Sequence, residues 1–451
     1  MMPLELTRFA PVRGFLKSRW PQLMIQLITL AGLALVIASG LLGTPVGNRN
    51  FGIVMVWIGW WAVLMLVAVP LLGRSWCSVC PLPLPGEWLQ RGAVLAPRGR
   101  GLGLNLRWPR KLRGLWLQNS AFVLVALFSL PVLTQPRLTG VLLAGLALLA
   151  IVISLVFERR AFCRYVCPMG GFIGLYAQAA PIEVRVRDAA LCAAHTTKTC
   201  YTGSTDGYGC PWQVFPGTLQ ANTYCGVCLE CLRTCPYDNV AINLRPVGAD
   251  LQVSKGRGLD EAFKAMLLLG SGLAYIAVLL GTWNAPRAAA ASIGSPAWVV
   301  YALAFLAFVL VFIPGLLLLA VRTGSWLSRR RIGAVPLLRA FSPTLVPIGL
   351  SVWIAFSLSF LLANLSYLFP VVSDPLNLGW NLLGTAGVGW TPYGQALFPW
   401  LTISVLLAGL TWTSQRIGAT AEDIGGGYRL ALPLWIVTFL LSAGALWLLV
   451  L

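Results

Sequence analysis

The chain has 451 residues, 58% of them hydrophobic and 10% charged, with a mean hydropathy of +0.78. That composition excludes an ordinary soluble domain and fits a polytopic membrane protein. The net charge is +19. In so apolar a chain a basic excess marks cytoplasmic loops rather than a nucleic-acid surface, so no nucleic-acid partner is expected.

Nine stretches reach spanning length, near residues 23–43, 52–72, 116–133, 138–157, 265–283, 298–321, 344–369, 397–412 and 430–451. Arg13, Lys17 and Arg19 precede the first, which reads as an anchor rather than a cleaved signal. Cations cluster in alternate loops. Arg74, Arg91, Arg98, Arg100, Arg107, Arg110, Lys111 and Arg113 follow the second span. Arg159, Arg160, Arg164, Arg185 and Arg187 follow the fourth, and Arg322, Arg329, Arg330, Arg331 and Arg339 the sixth. The opposite loops carry isolated cations such as Arg49, Arg137 and Arg287. The positive-inside rule then puts the N-terminus and the segment after the fourth span in the cytoplasm, with the protein multi-pass in the inner membrane. The expected fold is an all-α polytopic membrane protein of about nine transmembrane helices with a small cytoplasmic two-[4Fe–4S] ferredoxin-like insert. Its parts are a four-span region at 1–180, the insert at 181–260 and a five-span region at 261–451.

The insert carries the clearest chemistry. Cys225-x2-Cys228-x2-Cys231-x3-Cys235-Pro236 has the bacterial ferredoxin spacing, in which three close thiolates wrap one iron–sulfur cube and the fourth serves a neighbouring cluster. Upstream stand Cys192, His195, Cys200 and Cys210-Pro211. Exchanging the last ligands by the two-cluster rule assigns Cys225, Cys228, Cys231 and Cys210 to one [4Fe–4S] cluster. Cys192, His195, Cys200 and Cys235 then surround the other. His195 is the only histidine in the chain and stands where the second ligand is needed. A histidine ligand raises cluster potential in Rieske centres. Zinc fits less well, because it takes two separated Cys-x2-Cys pairs. Stacked bis-histidine haems need several histidines, so haem is not expected. The segment 240–244 reads as a short strand.

Four cysteines remain. Cys77-x2-Cys80-Pro81 follows the second span and Cys163-x3-Cys167-Pro168 the fourth, each shortly after an arginine. The parallel placement suggests an internal duplication. Such paired thiols can hold a metal, a further cluster or a redox-active disulfide.

These motifs together resemble the membrane polyferredoxins of the NapH/NosR/CcoG type, over about residues 73–244. The resemblance implies electron transfer between the quinone pool or a cytoplasmic donor and enzymes of nitrogen-oxide or copper metabolism. By position, Cys77, Cys80, Cys163 and Cys167 match that family's membrane-edge motifs, and Cys225, Cys228, Cys231 and Cys235 its cluster ligands. The departures are Cys-x2-Cys-Pro in the first motif, a histidine at 195, five further spans and no preceding flavin domain.

The expected function is therefore electron transfer between a cytoplasmic donor or quinone and a membrane or periplasmic redox partner, as a subunit of an oxidoreductase system embedded in lipid. Two alternatives are a metal or thiol reductase in metalloenzyme assembly, using the four membrane-edge thiols, and a redox-sensing regulator without turnover. On this reading anaerobically purified protein carries about eight irons and eight acid-labile sulfides, and about twelve of each gives the membrane-edge cysteines a cluster of their own.

Overall fold

The computed structural model describes residues 3–95, 99, 101–252, 257–281, 283–330 and 332–450. Arg98, Arg100 and Arg331, counted above among the loop cations, lie outside them. Among the described residues seven helices are long and apolar enough to cross a membrane: Trp20–Leu42, Phe51–Leu72, Pro136–Val156, Leu259–Leu280, Pro296–Leu327, Ala334–Ser373 and Gly427–Val450. The chain is a mainly helical, multi-pass membrane protein, and the expected count of nine is approximate. Of the other two expected spans, one falls on Trp116–Leu127, an apolar helix of 12 residues. It breaks at Phe128 and resumes as Ser129–Thr134, where Pro131 cannot donate a helical hydrogen bond. The other falls on Phe398–Asp423, whose second half carries Gln415, Arg416, Glu422 and Asp423.

Two compact units form, and neither is continuous in sequence. The first comprises Met1–Ala38, Val67–Ala121 and Gly140–Val253, and the second Ser39–Leu66, Phe122–Thr139 and Ser254–Leu451.

In the first unit a three-stranded sheet runs in the order β1-β3-β2, from β1 (Leu4–Glu5), β2 (Ile182–Val186) and β3 (Val240–Leu244). Both pairings are antiparallel, with Leu4 opposite Leu244 and Val186 opposite Val240. β2 and β3 are rich in branched residues, and Val184, Val240 and Ile242 pack with Leu232 into a small core that also takes in Cys225, Cys231 and Cys235. The strand expected at 240–244 is thus the central one. β1 is too short to read from sequence and is fixed by its neighbours. The Glu5 carboxylate pairs with Arg187 at 2.6 Å, and Asp238 takes Lys17 at 3.1 Å.

In the second unit several buried polar side chains find partners on neighbouring helices. The buried Trp353 indole donates to the Leu268 carbonyl at 3.0 Å. Trp61 donates to Ser357 at 2.9 Å, and its ring meets Trp353 edge-on at 5.6 Å. A Cβ on Gly409 would fall 2.1 Å from Ser351 Oγ, so those two helices approach as only small residues allow.

The β1 contact yields a prediction with a defined sign. Hydrogen bonding from Arg187 holds the Glu5 carboxyl below its ordinary value. Its contribution is therefore present above the ordinary carboxylate pKa and lost as pH falls through the lowered folded-state value. Because the pair is partly solvated it is weak, about 1 kcal/mol or less. Hydrogen exchange of the amides of residues 4–8 should quicken up to about fivefold in Arg187→Gln at pH 7, and acidification should no longer quicken it further.

Candidate functional site

All eleven cysteines are outside disulfides and belong to the first unit. The thiols that act on one another electrostatically fall into three sets.

The first set is Cys210, Cys225, Cys228 and Cys231. Burial pushes Cys225 up to about 11 and Cys228 and Cys231 well above the ordinary thiol value, and the nearby Cys210 adds to each. The loop between them is bent hard. Val227 (φ 48°) and Leu229 (φ 66°) are left-handed, which a β-branched residue rarely adopts. The bend turns the amides of Val227 and Glu230 onto Cys225 and Cys228. The Val214 amide donates to Cys210 Sγ at 3.4 Å.

The second set is Cys192, Cys200 and Cys235. Burial, with Cys235 and Cys192 adding to it, raises Cys200 to about 11. His195 lines the same small cavity. Its Nε2 lies 2.6 Å from Thr197 Oγ1 and its ring meets Tyr237 edge-on, which leaves Nδ1 as the nitrogen open to a ligand role. Asn239 serves two thiols at once. Its amide donates to Cys235 Sγ at 3.3 Å and its Nδ2 to Cys192 Sγ at 3.2 Å. Sequence reasoning passed over Asn239, although a signal was there. It stands four residues after Cys235-Pro236, the offset at which Val214 follows Cys210-Pro211.

The third set is Cys77, Cys80, Cys163 and Cys167. Burial raises Cys80 and Cys163 far above the ordinary value, with Cys77 and Cys167 adding to both. Cys163 sits in the wide π turn Phe162–Val166, and Cys167 caps the helix Pro168–Tyr176. The Gly170 amide at that helix start donates to Cys167 Sγ at 3.3 Å and partly offsets the burial that lifts Cys167 to about 11.

Two buried arginines join the third set to the first. Arg74 and Arg160 each stand three residues before the first cysteine of a membrane-edge motif, and each reaches across to the other motif. Arg74 donates to the Cys163 carbonyl at 3.1 Å, and Arg160 to the Cys77 carbonyl. This exchange is the spatial form of the repeat seen in the sequence. Arg74 also donates to Thr223 in front of Cys225, and its charge acts on both Cys167 and Cys225. Arg160 feels both Cys163 and Cys228. It is 4% exposed and paired at 2.6 Å with Glu87, itself 6% exposed. Burial alone would raise the Glu87 carboxyl, but Arg160 and Arg91 overcome it and hold the group ionised. Both arginines approach the fully buried Trp212 ring, the Arg74 guanidinium at 4.3 Å and that of Arg160 at 6.0 Å from its centroid. A Cβ on Gly226 would fall 2.0 Å from its Nε1, so only glycine fits between Cys225 and Val227.

Among the described residues no three His, Cys, Asp or Glu side chains converge tightly enough to hold a single ion. In a mononuclear zinc site every sulfur lies about 2.3 Å from the metal.

Residues 53–114 and 139–185 match a family model described as a 4Fe-4S binding domain. These segments carry Cys77, Cys80, Cys163 and Cys167 and stop short of the ferredoxin-spaced run. YccM of Escherichia coli strain K12, a protein named for electron transport, is 26% identical over 141 residues, 30% of this chain and 36% of the relative. The match thus spans about a third of that relative's length. No solved structure matches. In its membrane-edge segments the chain is similar to iron–sulfur binding domains, and it sets them among membrane-spanning helices.

The buried Glu87–Arg160 pair supplies a test. Glu87→Gln should leave the Arg160 charge uncompensated and cost about 3–5 kcal/mol, seen as a lower thermal midpoint with visible absorbance lost before helicity.

Proposed function

We propose that the chain is a membrane-bound iron–sulfur electron carrier with three [4Fe–4S] sites rather than two. Cys210, Cys225, Cys228 and Cys231 hold one cluster, and Cys192, His195, Cys200 and Cys235 a second. Cys77, Cys80, Cys163 and Cys167 hold the third. The observation that carries this reading is the sorting of twelve donors, eleven cysteines and one histidine, into three sets of four, two of which share the arginines Arg74 and Arg160. The similarity of the third set's segments to a 4Fe-4S binding domain supports the choice of cluster there.

Bound in these pockets, such clusters supply one-electron carriers whose potential follows ligand type, nearby charge and hydrogen bonds to sulfur. The chain's own residues set those conditions. Arg74 and Arg160 favour negative charge in the first and third pockets. Val214, Gly170 and Asn239 donate to cysteine sulfurs and favour the thiolate form. Trp212 packs its ring against Arg74 and Arg160.

The sites follow one another in a line. Cys200 acts on Cys231 in the neighbouring set, and Arg160 senses Cys228 and Cys163 together. The line therefore runs from the insert, through the ferredoxin-spaced loop, to cysteines placed directly after membrane-spanning helices. We assign its outer end to a cytoplasmic donor, and its membrane end to quinone or a membrane or periplasmic redox partner.

Iron and acid-labile sulfide should each come to about twelve per anaerobically purified chain. Cys77→Ser with Cys163→Ser should lower both to about eight and remove one dithionite-dependent EPR component. A wild-type value near eight ends the line at Cys228, and absence of iron overturns the electron-carrier reading. His195→Ala should lower the potential of one cluster or release it, leaving the other two signals in place.

A further inference from the structure

Most arginines of the insert are neutralised. Arg185, Arg187, Arg233 and Arg245 all pair with carboxylates. Five arginines outside the insert are not. Arg107, Arg110, Arg113, Arg159 and Arg164 line one cleft of about 560 Å³ within the first unit, and none of them forms an ion pair among the described residues. Glu158 is the one carboxylate on the lining, so the formal balance is five minus one, or +4. Like charges gathered in one concavity repel, and solvated loop cations would spread apart.

The back wall is built rather than incidental. Arg159 donates to the Cys210 carbonyl at 2.7 Å, and Arg164 to the carbonyls of Trp212 and Gln213. Arg159 (φ 59°) and Gln213 (φ 54°) both hold left-handed backbone, a strained state for such residues. Gln213 Nε2 is a buried donor with no acceptor among the described residues. All five cations are arginine. Lys111, within the same stretch, is not on the lining. Guanidinium forks are the groups that grip phosphate oxygens in pairs, and a lysine ammonium does so only as a point charge.

We infer that this cleft is a binding site for a ligand bearing two adjacent phosphate groups. Two phosphate groups bring negative charge to the +4 lining, and their oxygens supply acceptors for Gln213. Arg113 stands three residues before the helix Trp116–Leu127, and Arg159 three after Pro136–Val156. The diphosphate chemistry is therefore met by a soluble nucleotide's pyrophosphate or by the headgroup of a diphosphatidyl lipid.

The test uses the full iron-loaded chain in phosphatidylcholine nanodiscs. In one arm inorganic pyrophosphate is titrated calorimetrically. In the other, cardiolipin is added to the discs and its retention read by native mass spectrometry. Saturable one-to-one binding in the first arm supports the site with a soluble ligand, and retention of one cardiolipin in the second supports it with a lipid. Replacing Arg107, Arg110 and Arg113 together by Ala should weaken that binding by about tenfold per guanidinium, iron content being unchanged. Lys111→Ala should leave it as it was. No binding in either arm overturns the inference. So does undiminished binding in the triple variant, or an equal loss on changing Lys111, which would mean diffuse surface attraction. Binding is read without reference to iron stoichiometry, so failure here is distinct from failure of the three-cluster assignment.

Discussion

Burying four thiols beside four more places negative charge where water cannot screen it, and the third and first sets of this chain depend on how that charge is met. Arg74 and Arg160 meet it from inside. Each touches the backbone of one cysteine motif and acts on thiols of two sets. Arg160 is in turn held by Glu87, which fixes the direction of its charge. A desolvated guanidinium without such a partner would cost several kcal/mol. Trp212, Gly226 and the bent Val227 backbone follow from that arrangement, because a ring packed against Arg74 leaves no room for a side chain at 226.

The reciprocal reach of the two arginines also changes what the membrane-edge motifs mean. From spacing alone each pair of cysteines could have formed a separate thiol site. Arg74 bound to the second motif and Arg160 to the first tie the two motifs together, with Cys77, Cys163 and Cys167 buried and Cys80 half-buried.

Much of this was legible in the residues themselves. The ferredoxin spacing announced the insert, runs of apolar residues announced the helices, and arginine before each Cys-Pro motif announced the repeat. What escaped was whatever depends on contact across the fold. Asn239, Trp212 and Glu87 carry no motif of their own, and their roles come from what folding brings beside them. The helix count is approximate because hydropathy does not register the break at Phe128 or the polar second half of Phe398–Asp423. The grouping into compact units was hidden for the same reason, since the segments that pack together are far apart in the chain.

The smallest element settles a question of topology. Leu4 and Glu5 hydrogen-bond to a strand more than two hundred residues later, and a sheet cannot be threaded through lipid. Both strands must lie on one face of the bilayer, so the chain between them crosses an even number of times. Among the described residues three helices in that interval, Trp20–Leu42, Phe51–Leu72 and Pro136–Val156, are long enough by themselves. If all three cross, an even count takes one more crossing, for which the broken apolar helix from Trp116 to Thr134 is the segment at hand. Two residues at the start of the chain thereby constrain a stretch more than a hundred positions downstream.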